Sequence, residues 1–486
     1  MAKTFEAGGF MDFSNIIFRR KFSMPMFKNL RIKMGEMAFT KDFINASDVT
    51  DVYPIIEKSS DCIETIENSI YKNTSGKIER WFCEFFPHAT YEITAQSFGG
   101  KVGLSLAIRD AKAEILFDKN SLYFYSDEMQ KTMPLPDYID GEISMAVTCE
   151  LSSFHIYFRV NGELKYFTSF CAPDFTDSLN YDLFKNGYAA VKAEDNIVVD
   201  HAEAYLDNGV SQADMKPLRY ENGDIIVDSG KVYLTFSARQ HMGGYQGIYS
   251  WVPGTAEIEM CGAIFFDCGD NRWCGDIASS ILFNRKTNQW YIWYASFSHG
   301  HILGHGVADN DIRFGINVLD TTLMKKADEN SDRREFLGFS SDEDPDFFYD
   351  EKSDKWYMSI CRHDPEIGRY KYHFFESDEP FANYKFIGKG VDGSETGGSF
   401  VNIKGERHFV CGNGFKVTSN YRIYSKDGVQ DAIFDYPDGG YRGWGTLMPI
   451  KLGSRTRYFW WTFDRHNGGD GKWTYGNIFC FEADMQ

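Results

Sequence analysis

At 486 residues with 43% hydrophobic content, the chain is long enough to bury a large core and to divide into two or three domains. A formal net charge of -19 without any Lys/Arg cluster repels phosphate backbones and anionic lipid, which argues against nucleic-acid or membrane partners and for a neutral or cationic small ligand. The 16% of aromatic residues, with 44 Gly and 13 Pro, suit half-buried pleats joined by tight turns, so an all-β chain is expected.

Residues 1–75 show weak periodicity and mixed polarity and read as an irregular arm with first strands. The N-terminus has no uninterrupted apolar stretch with a cleavage site behind it, and no later run approaches bilayer length, so a cytoplasmic location is expected. The ten cysteines are scattered without a CxxC pair and read as reduced, mostly buried thiols, Cys274 in the run WCGD included.

From 76 to 210 short runs alternate apolar and polar residues, as in KVGLSLAI (101–108), SLYFYS (121–126), ISMAVTCE (143–150), FHIYFRV (154–160) and NIVVDHAEAYL (196–206), with a hairpin turn at Asn161-Gly162. That is the pattern of a β-sandwich (jelly-roll) domain. It resembles the concanavalin/laminin-G-like sandwiches attached to many carbohydrate enzymes, and the resemblance rests on strand pattern alone.

From 215 to 486 an aromatic-rich strand recurs five times: KVYLTFSAR (231–239), NQWYIWYASFSH (288–299), DKWYMSICRHD (354–364), ERHFVCGN (406–413) and TRYFWWTFDRH (456–466). The intervals of about 50 to 65 residues are those of propeller blades. A further strand follows each, at 247–252, 312–320, 370–377, 421–427 and 476–484, and outer strands are expected at 257–266, 334–339 and 384–390. Single units of this kind cannot bury both faces and must stack radially, which predicts a five-bladed β-propeller, with a two-sheet sandwich as the alternative. The last unit runs out of chain after its third strand, so an upstream segment is expected to supply the missing edge.

In such a unit the start of the innermost strand and the end of the second share one face. The starts read Asp224 or Glu221, Asp276, Asp344, Glu395 and Trp444; the ends read Arg239, His299, Arg362 with His363, Asn413, and Arg465 with His466. Trp273 lies just ahead of Asp276. Carboxylates ringed by bases and amides, on strands that are otherwise apolar, point to a ligand mouth. The run SHGHILGH brings His299, His301 and His305 close in sequence, but the spacing matches no established ligand motif, so neither a metal nor a cofactor is assigned.

EDPDFFYDEKSDKWYM (343–358), GSETGGSFVNIKGERHFV (393–410) and YRGWGTLMPIKLGSRTRYFWW (441–461) resemble the third, fourth and fifth units of five-bladed glycoside hydrolases, the invertase/levanase and arabinanase/xylosidase families 32 and 43. The resemblance implies that Asp344 stabilises the transition state and tunes its neighbour's pKa, that Glu395 is the general acid, and that Trp444 stacks on a sugar ring. The first unit lacks the families' Asp-Pro, which leaves the nucleophile or base open between Asp276 and Asp224, with Glu221 a weaker match.

The expected activity is therefore hydrolysis of a small oligosaccharide, such as a fructo- or arabinofuranoside, through a carboxylate acid/base set. A propeller lyase or phosphorylase using the histidines and arginines is the alternative from another reaction class, and a non-catalytic sugar-binding protein is the third. A carbohydrate is the one partner expected, and self-association into a homo-oligomer is compatible with these features.

Overall fold

The computed structural model describes residues 13–25, 30–39, 53–209, 211–239, 243–274, 276–328, 337–391, 394–413, 420–435, 442–443, 445–464 and 477–483. Two compact units divide the chain: Arg31–Asp207 with Asn271–Trp273, and Met1–Leu30 with Asn208–Asp270 and Cys274–Gln486. Among the described residues strand predominates; the helices are a 3-10 turn at Phe13–Asn15 and a single α-turn at Tyr181–Phe184.

The unit centred on 31–207 consists of two antiparallel sheets, of seven and eight strands. Strict alternation sets their faces: in Ser121–Tyr125, Leu122 and Phe124 are buried while Tyr123 and Tyr125 turn outward. The Phe124 ring stacks on Phe170 at 4.7 Å and meets Phe154 edge-on at 5.4 Å, both on the other sheet. Asn161 and Gly162 take φ of 52° and 82°, the left-handed pair that closes the tight hairpin between Ser153–Val160 and Glu163–Cys171.

The other unit repeats one antiparallel arrangement. The first sheet is built from Ser211–Pro217, Lys231–Arg239, Gly244–Trp251 and Ile258–Asp267, and the second from Ile277–Asn284, Gln289–Ser296, Ile302–Ala308 and Gly315–Leu323. Asp342–Asp350, Lys355–Asp364, Arg369–Ser377 and Lys385–Lys389 make the third; Glu395–Ile403, Glu406–Asn413, Asn420–Ser425 and Gly428–Asp431 make the fourth. In the fifth, Leu447–Leu452, Arg455–Asp464 and Asn477–Ala483 are completed by Ile17–Pro25, which pairs antiparallel with the last strand of the chain. The missing edge thus comes from the N-terminal segment, about 450 residues away, and Phe13 and Phe18 anchor it in the core beside Trp460 and Phe481.

Three expectations are corrected. Ser211–Pro217, which the aromatic pattern passed over, is the inner strand of the first sheet. In the second sheet the histidine-bearing run Ile302–Ala308 is the third strand, and the outer one is Gly315–Leu323 rather than 334–339, whose described residues 337–339 hold no strand. The outer strands of the first two sheets also pair with each other in parallel, Gly262–Asp267 against Gly315–Asp320.

Neighbouring sheets share apolar layers: Ile248 and Phe266 with Ile281 and Ile292, Leu282 and Trp293 with Phe347 and Met358, Phe374 with Phe400 and Phe409, and Val401 and Ile423 with Trp460. The fifth sheet then returns to the first through Trp251, edge-on to Trp461 at 5.0 Å and to Phe459 at 5.2 Å. Cutting any of these large buried rings back to alanine costs on the order of 3–5 kcal/mol.

Candidate active site

Four inner strands carry the same irregularity. In each, two residues oppose one on the second strand: Asp214-Met215, Ala278-Ser279, Asp344-Pro345 and Gly397-Gly398 are the bulged pairs. The first residue of every pair is left-handed, with φ of 56°, 58°, 48° and 59°. Bulges bend a strand and re-aim its side chains, and they put Asp214 and Asp344 at equivalent places. Two positions ahead of those lie the equivalents Gln212, Asp276, Asp342 and Glu395.

Asp344 is 5% exposed, and its Oδ2 accepts from Thr396 Oγ1 (3.0 Å) and from the Gly397 amide (2.9 Å). Burial, and then the neighbouring Glu343 carboxylate, push its pKa above the usual carboxylate range. Glu395, directly before Thr396, is wholly enclosed. It accepts from the Tyr372 amide and Arg422 Nη1, each at 3.1 Å, and from the Tyr424 hydroxyl; burial still raises its pKa. A side chain at Gly390 would collide with Glu395 Oε2, 2.2 Å from where its Cβ would stand.

Asp214 is the carboxylate that the sequence pattern missed. It is buried, accepts from Ser237 Oγ at 2.8 Å, and through that hydroxyl reaches the amide of Ala278, the bulge of the next sheet. Asp344 takes the bulge amide of its own next sheet directly, so the two aspartates play the same part in the repeat. Lys216 follows Asp214, buried, with its Nζ donating to Pro345 O at 2.6 Å; burial lowers its pKa, against the pull of Asp346, Asp344 and Asp214. Beneath lies a structural hub, Asp346, which accepts from Arg219 Nη2 (2.5 Å), Ser280 Oγ (2.7 Å) and the Phe400 amide (2.7 Å), tying the second, third and fourth sheets together.

The ring of bases and amides divides into distinct environments. Register sets Arg239 opposite Ser211, Arg362 opposite Asp342 and Asn413 opposite Glu395, all at the starts of inner strands. Arg362 is fully buried, clamped on Asp342 at 2.6 and 2.9 Å and stacked over Phe339, so its guanidinium belongs to the interior. His363 lies edge-on to Tyr370. His299 stands between Asp276, 3.9 Å from its Nδ1, and Asp270, 3.1 Å from its Nε2; these carboxylates, Asp276 foremost, hold its pKa above the ordinary value.

The three histidines of one run do not converge. His301 pairs with Glu343 at 3.0 Å, and His305 is sandwiched by Trp293 and Phe381, where burial depresses its pKa to about 4.

Other expected residues fall elsewhere. Asp224 stands in an exposed turn beyond the far end of the first inner strand, bonded to Asn222, and Glu221 in the same turn is clamped by Arg285 at 2.7 Å. That end carries its own cavity of about 310 Å³, lined by Tyr349, Tyr357, Asn402 and Arg407 among others. Trp273 belongs to the 31–207 unit, where its ring stacks on Tyr181 at 4.9 Å. Trp444, Arg465 and His466 lie outside the described residues. The ten cysteines, all among the described residues, form no disulfide with one another.

No protein-family model matches the chain, and no curated protein sequence matches it. Among solved structures it is similar to an inulosucrase from Halalkalicoccus jeotgali bound to kestose, at 12% identity over 52% of this chain and 76% of that one, with a TM-score of 0.38. A family 117 glycoside hydrolase from the marine bacterium Zobellia galactanivorans matches at 11% identity over 56% and 84%, TM-score 0.37. The catalytic domain of a family 62 α-L-arabinofuranosidase from Coprinopsis cinerea matches at 9% identity over 56% and 98%, TM-score 0.35.

Proposed function

We propose that the repeat unit is a five-bladed β-propeller glycoside hydrolase working on a small oligosaccharide. The observation that carries this reading is the junction of Asp344 with the strand bearing Glu395: two buried carboxyls, both raised by burial, on neighbouring inner strands, with Asp344 bonded to the two residues that follow Glu395. Glycosidic cleavage needs one carboxyl that stays protonated near neutral pH and one that is ionised across the sugar. In this reading Glu395 is the acid, Asp344 orients the sugar, and Asp214, rather than Asp224 or Asp276, is the third carboxylate, because it occupies the place in the first sheet that Asp344 holds in the third.

Glu343 offers a second assignment of the acid. Its side chain is 19% exposed and bonded to His301, whereas Glu395 is enclosed on every side. Arg362, spent on Asp342, is not free to neutralise a substrate carboxylate, which weighs against the lyase alternative.

Kinetics on paired substrates separate these assignments. Glu395→Gln is expected to lower kcat/KM on natural glycosides by about 10²–10⁴-fold while sparing aryl glycosides whose leaving group needs no proton, the range that loss of general acid catalysis gives. The same split in Glu343→Gln moves the acid there. Activity like the wild type's in Asp344→Asn, Asp214→Asn and both glutamate variants overturns the hydrolase reading.

A further inference from the structure

We infer that Cys268, Asp276 and His299 form a binding site for a thiophilic divalent metal ion of the zinc class. One ligand atom from each residue, a sulfur, a carboxylate oxygen and a ring nitrogen, lies within 4.8 Å of the other two. The three come from separate places: Cys268 just after the outer strand of the first sheet, Asp276 just before the inner strand of the second, and His299 from the turn after its second strand.

The independent sign is Asp276. Its side chain is 1% exposed, and Oδ1 takes both the amide (3.1 Å) and the hydroxyl (2.9 Å) of Ser298. Oδ2 is buried without a hydrogen-bond partner and faces His299 Nδ1 at 3.9 Å. A buried carboxylate oxygen left bare is costly, and a cation between it and the imidazole removes that cost.

His299 is already set for the task. Asp270 accepts at 3.1 Å from Nε2, and since a carboxylate only accepts, the proton of the neutral ring sits on Nε2 and the Nδ1 lone pair points inward. A carboxylate behind a histidine is the arrangement that orients metal-binding imidazoles. Ser296 Oγ donates to that lone pair at 3.0 Å, and the Tyr294 hydroxyl lies 3.2 Å from the Cys268 sulfur.

Donor chemistry selects the ion. Thiolate with imidazole and a single carboxylate suits Zn²⁺ and its neighbours rather than Ca²⁺ or Mg²⁺, which want oxygen throughout. Zinc bond lengths of about 2.0–2.3 Å set tetrahedral ligands roughly 3.3–3.7 Å apart, so the cluster closes by a modest contraction and leaves a fourth position for water. A second trio, Glu343, Asp344 and Cys361, lacks this character: Cys361 donates to Glu395 O at 3.0 Å and Asp344 is bonded to Thr396 and Gly397.

The test uses the full chain, stripped with a chelator and titrated with Co²⁺ as an optical stand-in for zinc. One equivalent is expected to bind with a thiolate-to-cobalt charge-transfer band, and Zn²⁺ is expected to displace it. Cys268→Ser should abolish the band, Cys261→Ser should keep it, and Asp270→Asn should weaken Zn²⁺ binding about 10–100-fold. Absence of stoichiometric uptake, a band that survives Cys268→Ser, or a preference for Ca²⁺ overturns the site. Should Cys268→Ser not fold, His299→Gln decides: undiminished Co²⁺ affinity there has the same consequence. Since uptake is read rather than turnover, the site stands or falls apart from the hydrolase reading.

Discussion

Asp276 and Asp342 occupy the same place on successive inner strands, two residues ahead of the bulge, and both are buried. Asp342 is saturated: Arg362 clamps both of its oxygens, and the amides of Gly338 and Phe339 bond Oδ2. Asp276 has one oxygen bonded to Ser298 and one left bare. The fold supplies the position; the partner that happens to face it decides whether the carboxylate becomes a structural clamp or an open ligand.

The sharpest way to break this comparison is to treat the two partners alike. Arg362→Met leaves Asp342 buried and uncompensated, and is expected to cost about 3–5 kcal/mol in denaturant unfolding, with a second substitution, Asp342→Asn, recovering part of the loss. Asp276→Asn in the metal-free protein replaces a carboxylate whose Oδ2 has no hydrogen-bond partner, so a change below about 1 kcal/mol is expected. Equal costs for Arg362→Met and Asp276→Asn would show that the two sites do not differ as described.

A smaller effect tests the neighbouring Asp344. Its pKa is raised in the folded chain, first by burial and then by Glu343, so the folded state favours the protonated form. Stability from this group is present below its ordinary value of 3.8 and is lost as pH rises through the raised value. Asp344→Asn cannot ionise, while its amide oxygen still accepts from Thr396 and Gly397. The thermal midpoint of the variant minus that of the wild type is therefore expected to be greater at pH 7 than at pH 4; a difference that is flat or reversed removes the raised carboxyl.

The aromatic second strands were legible because each alternates large rings into two adjoining apolar layers, a pattern that repetition makes visible. Ser211–Pro217 was not, because QADMKP carries buried polar groups, Asp214 and Lys216, where an inner strand ordinarily shows apolar ones. Missing it shifted the first unit and put Asp224 at a strand start when it stands in the turn at the other end. An Asp-Pro marks Asp344 in the sequence, yet its partners Thr396 and Gly397 come from the next sheet and leave no mark near it. The clamping of Arg362 was hidden for the same reason: an arginine at a strand end looks like a ligand contact until the residue across the ladder is known. The bulge was the one missed signal with a trace, since Asp-Met-Lys-Pro, Asp-Pro-Asp and Gly-Gly-Ser each place a residue tolerant of left-handed backbone, Asp or Gly, at the same step.

Two histidines of the run SHGHILGH restate the contrast on the smallest scale. His299 is held above its ordinary pKa by Asp276 and Asp270, while His305, six residues on, lies against the rings of Trp293 and Phe381 and is pushed by burial down to about 4. A depressed folded value means that stability from His305 is present above the ordinary value of 6.5 and is lost as pH falls toward about 4, because the buried ring must then take up a proton without a counter-charge. His305→Gln removes the titration and some of the ring packing together, so its thermal midpoint at pH 7 is expected to lie slightly below that of the wild type. Between pH 6.5 and pH 4 the gap should narrow, since the wild type alone pays for protonating residue 305. A gap that stays constant across that window would mean that the ring is already charged or already solvated at neutral pH, and that the two histidines do not differ as their neighbours imply.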